Sequence, residues 1–175
     1  MELYKKNRTY SLQGILGYGK SFMMAALTIL LMRMGKLVVY IPHCRIMAKD
    51  LQGYIRSAFL LTYADKYDIQ QRIASHLSLN DIYELCNDIR GEGEVLYFLV
   101  DQLNALDTNP ETVTSLNLQK RIDALDFIQQ IQGRHYYVWS ASGNYEYAEH
   151  DMYRQIGEER IILTPGFSQV IVPPN

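Results

Sequence analysis

Gly14-Ile15-Leu16-Gly17-Tyr18-Gly19-Lys20-Ser21 is the stretch on which the reading of this chain turns. It fits G-x-x-x-x-G-K-[ST] without a mismatch. A loop that wraps a polyphosphate must turn its backbone N–H groups inward, and glycines permit the angles this needs. A helix beginning near Lys20 would point the partial positive charge of its N-terminus at the same anion. In that arrangement Lys20 reaches the β- and γ-phosphates and Ser21 places its hydroxyl on Mg²⁺. The expected nucleotide contacts are then Gly14, Gly17, Tyr18, Gly19, Lys20, Ser21 and Phe22. The plainer account is a glycine-rich turn between strand and helix with an incidental lysine. The residues on either side decide between the two.

Downstream, Phe22, Met23, Ala26, Leu27, Leu30, Leu31 and Met34 recur at helical spacing, which predicts a helix from Ser21 to Met34 stopped by Gly35. It is apolar on most sides and is expected to be well covered. Leu37-Val38-Val39-Tyr40-Ile41 follows as a continuous apolar run ended by Pro42, the pattern of a buried parallel strand. Upstream, Tyr10-Ser11-Leu12 offers only the end of a weak strand, and Lys5 to Thr9 is too polar for a central one. Either the first strand is short or degenerate, or the natural start of the domain lies outside the chain.

Further along, helices are expected over about Ala48 to Asp65 and about Ile69 to His76. Ser78-Leu79-Asn80-Asp81 resembles a capping box opening a helix that carries Ile82, Leu85, Cys86 and Ile89 and closes near Gly91. Val95 to Val100 reads as a strand and Leu118 to Gln132 as a helix with Ile122, Leu125, Ile128 and Ile131 inward. His135 to Trp139 reads as a third strand, with a polar stretch after it, and Arg160 to Leu163 as a short fourth. Strands alternating with helices predict a three-layer α/β fold, mostly parallel, with helices on both faces. The whole chain, 1–175, is expected to form one domain with a helical insert at about 48–90. That insert could be a lid, an interface or plain cover.

The second chemical signal is Leu96-Tyr97-Phe98-Leu99-Val100-Asp101, an apolar strand ending in an acid. Ligands of such sheets bind at the carboxyl ends of the strands, and an acid there can hold Mg²⁺ through its water shell. Ser21 and Asp101 are therefore the expected metal side of the site. Gln102 stands where many ATPases carry a glutamate. It can orient a water but cannot take its proton, so hydrolysis is expected to be slow. Asn104 and Asp107 are the nearest other polar candidates for water positioning. Ser140, Ser142 and Asn144 follow the third strand and could face the same crevice.

Composition sets the limits. The chain has 175 residues, one domain's worth, with 48% hydrophobic and 21% charged residues, against disorder. Its formal net charge of −2 advertises no nucleic-acid partner. Cys44 and Cys86 cannot build a disulfide framework, and a reducing compartment is the simplest reading. The Phe22 to Met34 stretch is too short to span a bilayer, so no membrane insertion is expected. His43, His76, His135 and His150 have no metal-site spacing with each other or with the cysteines. The Tyr136-Tyr137-Val138-Trp139 run reads as strand core.

Beyond the loop, several segments resemble one family. Val39-Tyr40-Ile41-Pro42-His43-Cys44 resembles a strand ending in Y-I-P-D-C. Leu99-Val100-Asp101-Gln102-Leu103-Asn104-Ala105-Leu106 resembles a D-Q-H-N-A-L metal-side motif. Ser140-Ala141-Ser142-Gly143-Asn144 resembles an S-A-S-A-N-like segment, and Gly166-Phe167-Ser168 a G-F-s element. Together, in this order, they resemble the P-loop NTPase domain of Crinkler-type secreted effectors and the related retrotransposon hot-spot proteins. His43 departs from the family's usual Asp, and Leu103 from its usual His. The resemblance implies Mg²⁺-dependent nucleoside triphosphate binding and hydrolysis. Lys20 and Ser21 would lie on phosphate and Mg²⁺, Asp101 on the metal, and Gln102 would be normal for the family. It also implies secretion, action inside host cells and often the nucleus, and contact with nucleic acid or host proteins. ATP is the favoured nucleotide and GTP stays open, since no base-reading motif is recognisable. A nucleotide-dependent switch with negligible hydrolysis is the other functional expectation.

Overall fold

The computed structural model describes residues 9–14, 19–76, 78–106, 115–131, 135–142 and 160–163. Five strands form one sheet in the order β2-β3-β4-β1-β5, every neighbouring pair parallel. They are β1 (Thr9–Gly14), β2 (Leu37–Ile41), β3 (Leu96–Val100), β4 (Tyr136–Ser142) and β5 (Arg160–Leu163). The helices are α1 (Lys20–Arg33), α2 (Cys44–Met47), α3 (Leu51–Thr62), α4 (Tyr67–His76), α5 (Leu79–Gly91) and α6 (Ser115–Ile131). This is the three-layer α/β architecture expected from the sequence.

Strand alternation sorts the side chains into two cores. Val39, Ile41, Phe98, Val100, Tyr137 and Trp139 face the larger one, with Ile55 and Phe59 of α3, Ile82 and Cys86 of α5, and Phe127 and Ile128 of α6. Val38 and Leu99 face the smaller one, joined by Leu12 and by Met24 of α1. The 48–90 stretch therefore supplies a large part of the main core. Each fully buried Ile or Phe there contributes about 1.5–3 kcal/mol. In α6 the inward face is turned from expectation toward Ala124 and Phe127, with Ile122 half-buried.

The helix ends follow local chemistry. Ser78 and Asp81 form the expected capping box: Ser78 N–H donates to Asp81 Oδ2 at 2.7 Å and Asp81 N–H to Ser78 Oγ at 3.3 Å. Asp50 caps α3 by accepting from Gly53 N–H at 3.0 Å. α1 ends where Gly35 turns left-handed, at φ 68°. There Lys36 N–H reaches the Leu31 carbonyl and Gly35 N–H the Met32 carbonyl, satisfying groups the helix leaves open.

β1 is hydrogen-bonded on both sides, to β4 and β5, although Thr9 and Ser11 are among its buried residues. Its ladder places it centrally where apolar content alone argued for a poor strand. β4 runs on to Ser142, three residues past Trp139, because Leu12, Gln13 and Gly14 pair with Ser140, Ala141 and Ser142. At the far edge, Thr62 of α3 donates its hydroxyl to the Val38 carbonyl of β2 at 2.7 Å.

One expectation fails. Among the described residues α1 is not well covered: it buries only Lys20, Met24 and Thr28, while Phe22, Met23, Ile29, Leu30, Met32 and Met34 are exposed. The helix meets the sheet along a narrow stripe, so most of its apolar surface points outward.

Candidate nucleotide site

All five strands are parallel, so their carboxyl ends share one edge of the sheet. The register brings Ile41, Val100, Trp139 and the β1 end near Gly14 to that edge. α1 starts at the same edge. Its N-cap, Gly19, is left-handed at φ 76° and ψ 14°. A Cβ there would meet nothing within 4 Å, so backbone angle and not space calls for glycine.

Lys20 opens α1 and is 6% exposed. Burial lowers its ammonium below the ordinary lysine value, and the Asp101 carboxylate acts in the opposite sense. The two charges are thus within electrostatic reach of each other. Ser21 and Phe22, the next two residues, are exposed.

Asp101 lies one residue past β3 and is 2% exposed. Its N–H donates to the Ile41 carbonyl at 2.8 Å, carrying the β2–β3 ladder one step further. Its Oδ1 accepts from the Ser140 hydroxyl and, at 2.9 Å, from the Gln102 N–H. Gln102 N–H also reaches Ser140 Oγ at 3.2 Å. The carboxylate is held by two donors on one oxygen, which fixes its direction at the end of the strand.

Gln102 is non-glycine yet sits at φ 60°. A left-handed residue of this kind costs on the order of 1 kcal/mol or more, held in place here by the two N–H contacts. Asn104 is half-buried in a 3-10 turn, Leu103–Leu106, anchored by buried Leu103 and Leu106. Lys20, Gly19, Asp101, Gln102 and Asn104 are thus arrayed about one sheet edge. Gly14 and Ser142 pair across β1 and β4. Gly17, Tyr18, Asn144 and Asp107 lie outside the described residues.

Three neighbours of the acid lie in the segments that resemble Y-I-P-x-C and S-A-S-x-N. Tyr40 lies on β2, and burial raises its phenol, with Asp101 and Tyr54 adding in the same direction. Cys44 is buried and its thiol is pushed up, by burial first and by Asp101 second. Ser140, expected after the third strand and facing the same crevice, is the hydrogen-bond partner of Asp101. The parallel register could have pointed to it, since Val100 pairs with Trp139. Beside Tyr40 a cleft of about 470 Å³ opens toward α3, lined by Pro42, Asp50, Tyr54, Arg56 and Leu61.

No group of three or more metal-ligating side chains occurs among the described residues. No helix among them is long and apolar enough to cross a membrane. Cys86 is also buried, its thiol pushed up to about 12 by burial.

No protein-family model matches the chain, and no curated protein matches it. Among solved structures, it is similar to PCH-2 of C. elegans, with 16% identity and a TM-score of 0.41, over 89% of this chain and 35% of that one. It is similar also to the ORC2 protein of Aeropyrum pernix, described as ADPNP-ADP complexes, with 16% identity and a TM-score of 0.42, over 90% of this chain and 42% of that one. The chain spans less than half the length of either.

Proposed function

We propose that the chain binds a Mg²⁺–nucleoside triphosphate, with ATP favoured, and hydrolyses it slowly. The observation that carries this reading is Lys20, buried in the first turn of α1 after left-handed Gly19 and within electrostatic reach of buried Asp101. A buried lysine within electrostatic reach of a buried acid is costly to keep unless charge is to be handled there. A polyphosphate at the helix start answers the lysine and the helix dipole together.

The oxygen donors fit Mg²⁺, a hard cation that keeps several of its waters. Ser21 would offer a hydroxyl to it and Asp101 a carboxylate whose Oδ1 is already oriented by Ser140 and Gln102. When bound, the ion would neutralise charge on the β- and γ-phosphates. Lys20 would hold the same phosphates, Gly14, Gly17, Tyr18 and Gly19 would cradle them, and Phe22 would follow on α1. Gln102 and Asn104 would position a water for in-line attack. Ser142 and Asn144 would face the γ-phosphate side.

Gln102 also favours a second reading, a nucleotide-dependent switch with negligible hydrolysis. An amide cannot accept the water's proton, and its left-handed backbone restricts where the side chain can go. The resemblance to Crinkler-type domains supports either reading and adds host-cell action as the wider setting.

Lys20→Ala is expected to lower nucleotide affinity by at least about a hundredfold, or about 2.7 kcal/mol, and to abolish turnover. Phosphate release and binding of a fluorescent nucleotide measure both. Turnover that survives the substitution undiminished would place the chemistry elsewhere. Tight binding without phosphate release over hours selects the switch.

A further inference from the structure

The outward face of α1 has a symmetry of its own. Phe22, Met23, Ala26, Ile29 and Leu30 are exposed on it, with Phe22 at 78%, Ile29 at 58% and Leu30 at 55%. The spacing is symmetric about Ala26: Phe22 and Leu30 stand four residues away on either side, Met23 and Ile29 three. Two such helices laid antiparallel about a two-fold axis at Ala26 bring Phe22 against Leu30 and Met23 against Ile29, twice over. Residues 22, 26, 29 and 33 follow the four–three–four spacing of a knobs-into-holes seam. Alanine at the axis lets the helices approach closely. An interface of this kind uses one patch on both copies.

The apolar side chains on and beside this face leave on the order of 600 Å² exposed, given the size of such residues. That is at the top of the range of a monomer's largest patch and approaches what each partner contributes to a small specific interface. Among the described residues, α1 is the helix packed on this sheet face, in the smaller core.

The same register carries a charge argument. Arg33 lies in the last turn of α1, is exposed, and has no ion pair among the described residues. It is seven residues from Ala26, as is Gly19 on the other side, roughly 10 Å along the helix in each case. An antiparallel pair therefore sets Arg33 of one copy opposite Gly19, the N-cap of α1, in the other. Without an anion, Arg33 would face a helix N-terminus and Lys20, which repel it. With a triphosphate in the loop the sign reverses.

We propose that the exposed face of α1 is the seam of a two-fold antiparallel dimer of this chain, and that a bound nucleoside triphosphate drives dimer formation by drawing Arg33 of the partner subunit to its phosphates. The nucleotide link rests on the function proposed above. The coupling is reciprocal: the dimer holds nucleotide more tightly than the monomer.

Sedimentation velocity of the full chain, with and without a slowly hydrolysed Mg²⁺–ATP analogue, reads the association, and binding of a fluorescent ATP analogue at low protein concentration reads the site separately. Wild type is expected to shift to dimer with nucleotide. Ile29→Glu should stay monomeric and keep both its nucleotide affinity and its cooperative melting. Arg33→Ala should weaken nucleotide-linked dimerisation about tenfold, or about 1.4 kcal/mol, and leave monomer affinity unchanged. Ala26→Cys should cross-link on oxidation, since it sits on the axis and Cys44 and Cys86 are buried. Nucleotide binding by a chain that remains strictly monomeric overturns the dimer and leaves the nucleotide site standing. Failure to bind nucleotide removes the site and the linkage with it. A lowered melting temperature for monomeric Ile29→Glu means this chain covers the face itself, which also overturns the dimer.

Discussion

Lys20 concentrates the energetics of the site in one side chain. Its burial is unfavourable for the ammonium, so its folded-state value lies below the ordinary 10.5. The sign has two consequences. With a depressed folded value, the lysine opposes folding while charged, and stability rises as pH climbs through that value toward the unfolded one. The proposed nucleotide binding would run the other way, since only the ammonium attracts phosphate. Affinity for Mg²⁺–ATP is expected to start falling on the alkaline side at a pH below 10.5. A titration of affinity against pH checks this, and a profile flat up to that value counts against a buried binding lysine. At the same scale, the sequence made Lys20 and Asp101 legible because the loop pattern and an acid-ended strand are local signals. Ser140 and Tyr40 were not legible in the same way. Their place depends on the β3–β4 and β2–β3 registers, which bring together residues far apart in the chain.

Among the elements, β1 and β4 carry the main lesson about reading strands from composition. Both were underestimated at their polar ends. β1 extends to Thr9, Gln13 and Gly14 and β4 to Ser140, Ala141 and Ser142 because neighbouring strands, not hydropathy, set the extent of the ladder. The reverse held for α1, whose apolar periodicity was plain while the face it would bury was not. Helical spacing tells which residues lie together on a face; it does not tell whether anything covers them. His135 is a third case, since no motif marks it. It is completely buried at the start of β4, where its Nδ1 accepts from Leu96 N–H at 3.2 Å. The ring proton then sits on Nε2, which lies 3.1 Å from the Cys86 carbonyl. One imidazole thereby ties β3, β4 and α5. His135→Ala removes both contacts and opens a cavity, and is expected to cost about 2–4 kcal/mol. Chemical denaturation of wild type and variant measures it, and a loss under about 0.5 kcal/mol would mean the ring is not a structural pin.

At the scale of the whole molecule, the fold is lopsided. Among the described residues, the larger core lies under α3, α5 and α6, and a narrow stripe of α1 closes the smaller one. Nucleotide bound at the start of α1 would brace the weaker side. At roughly a hundred times the dissociation constant, a ligand of the folded state adds about 2.7 kcal/mol. For a chain of 175 residues this corresponds to a rise in melting temperature of roughly 5–10 °C. Calorimetry with Mg²⁺–ATP should show the rise for wild type and none for Lys20→Ala. An equal rise in both would point to binding away from the glycine loop.

The hydroxyl of Thr62 on the Val38 carbonyl has a bearing on how this molecule can associate. β2 is an outer strand of the sheet and the most continuously apolar of its stretches near that rim, the kind of border on which another chain's extended segment could be templated. With α3 laid against it and one of its acceptors already taken, recruitment of a foreign strand is disfavoured there. Strand-templated growth through this border is thereby made less favourable.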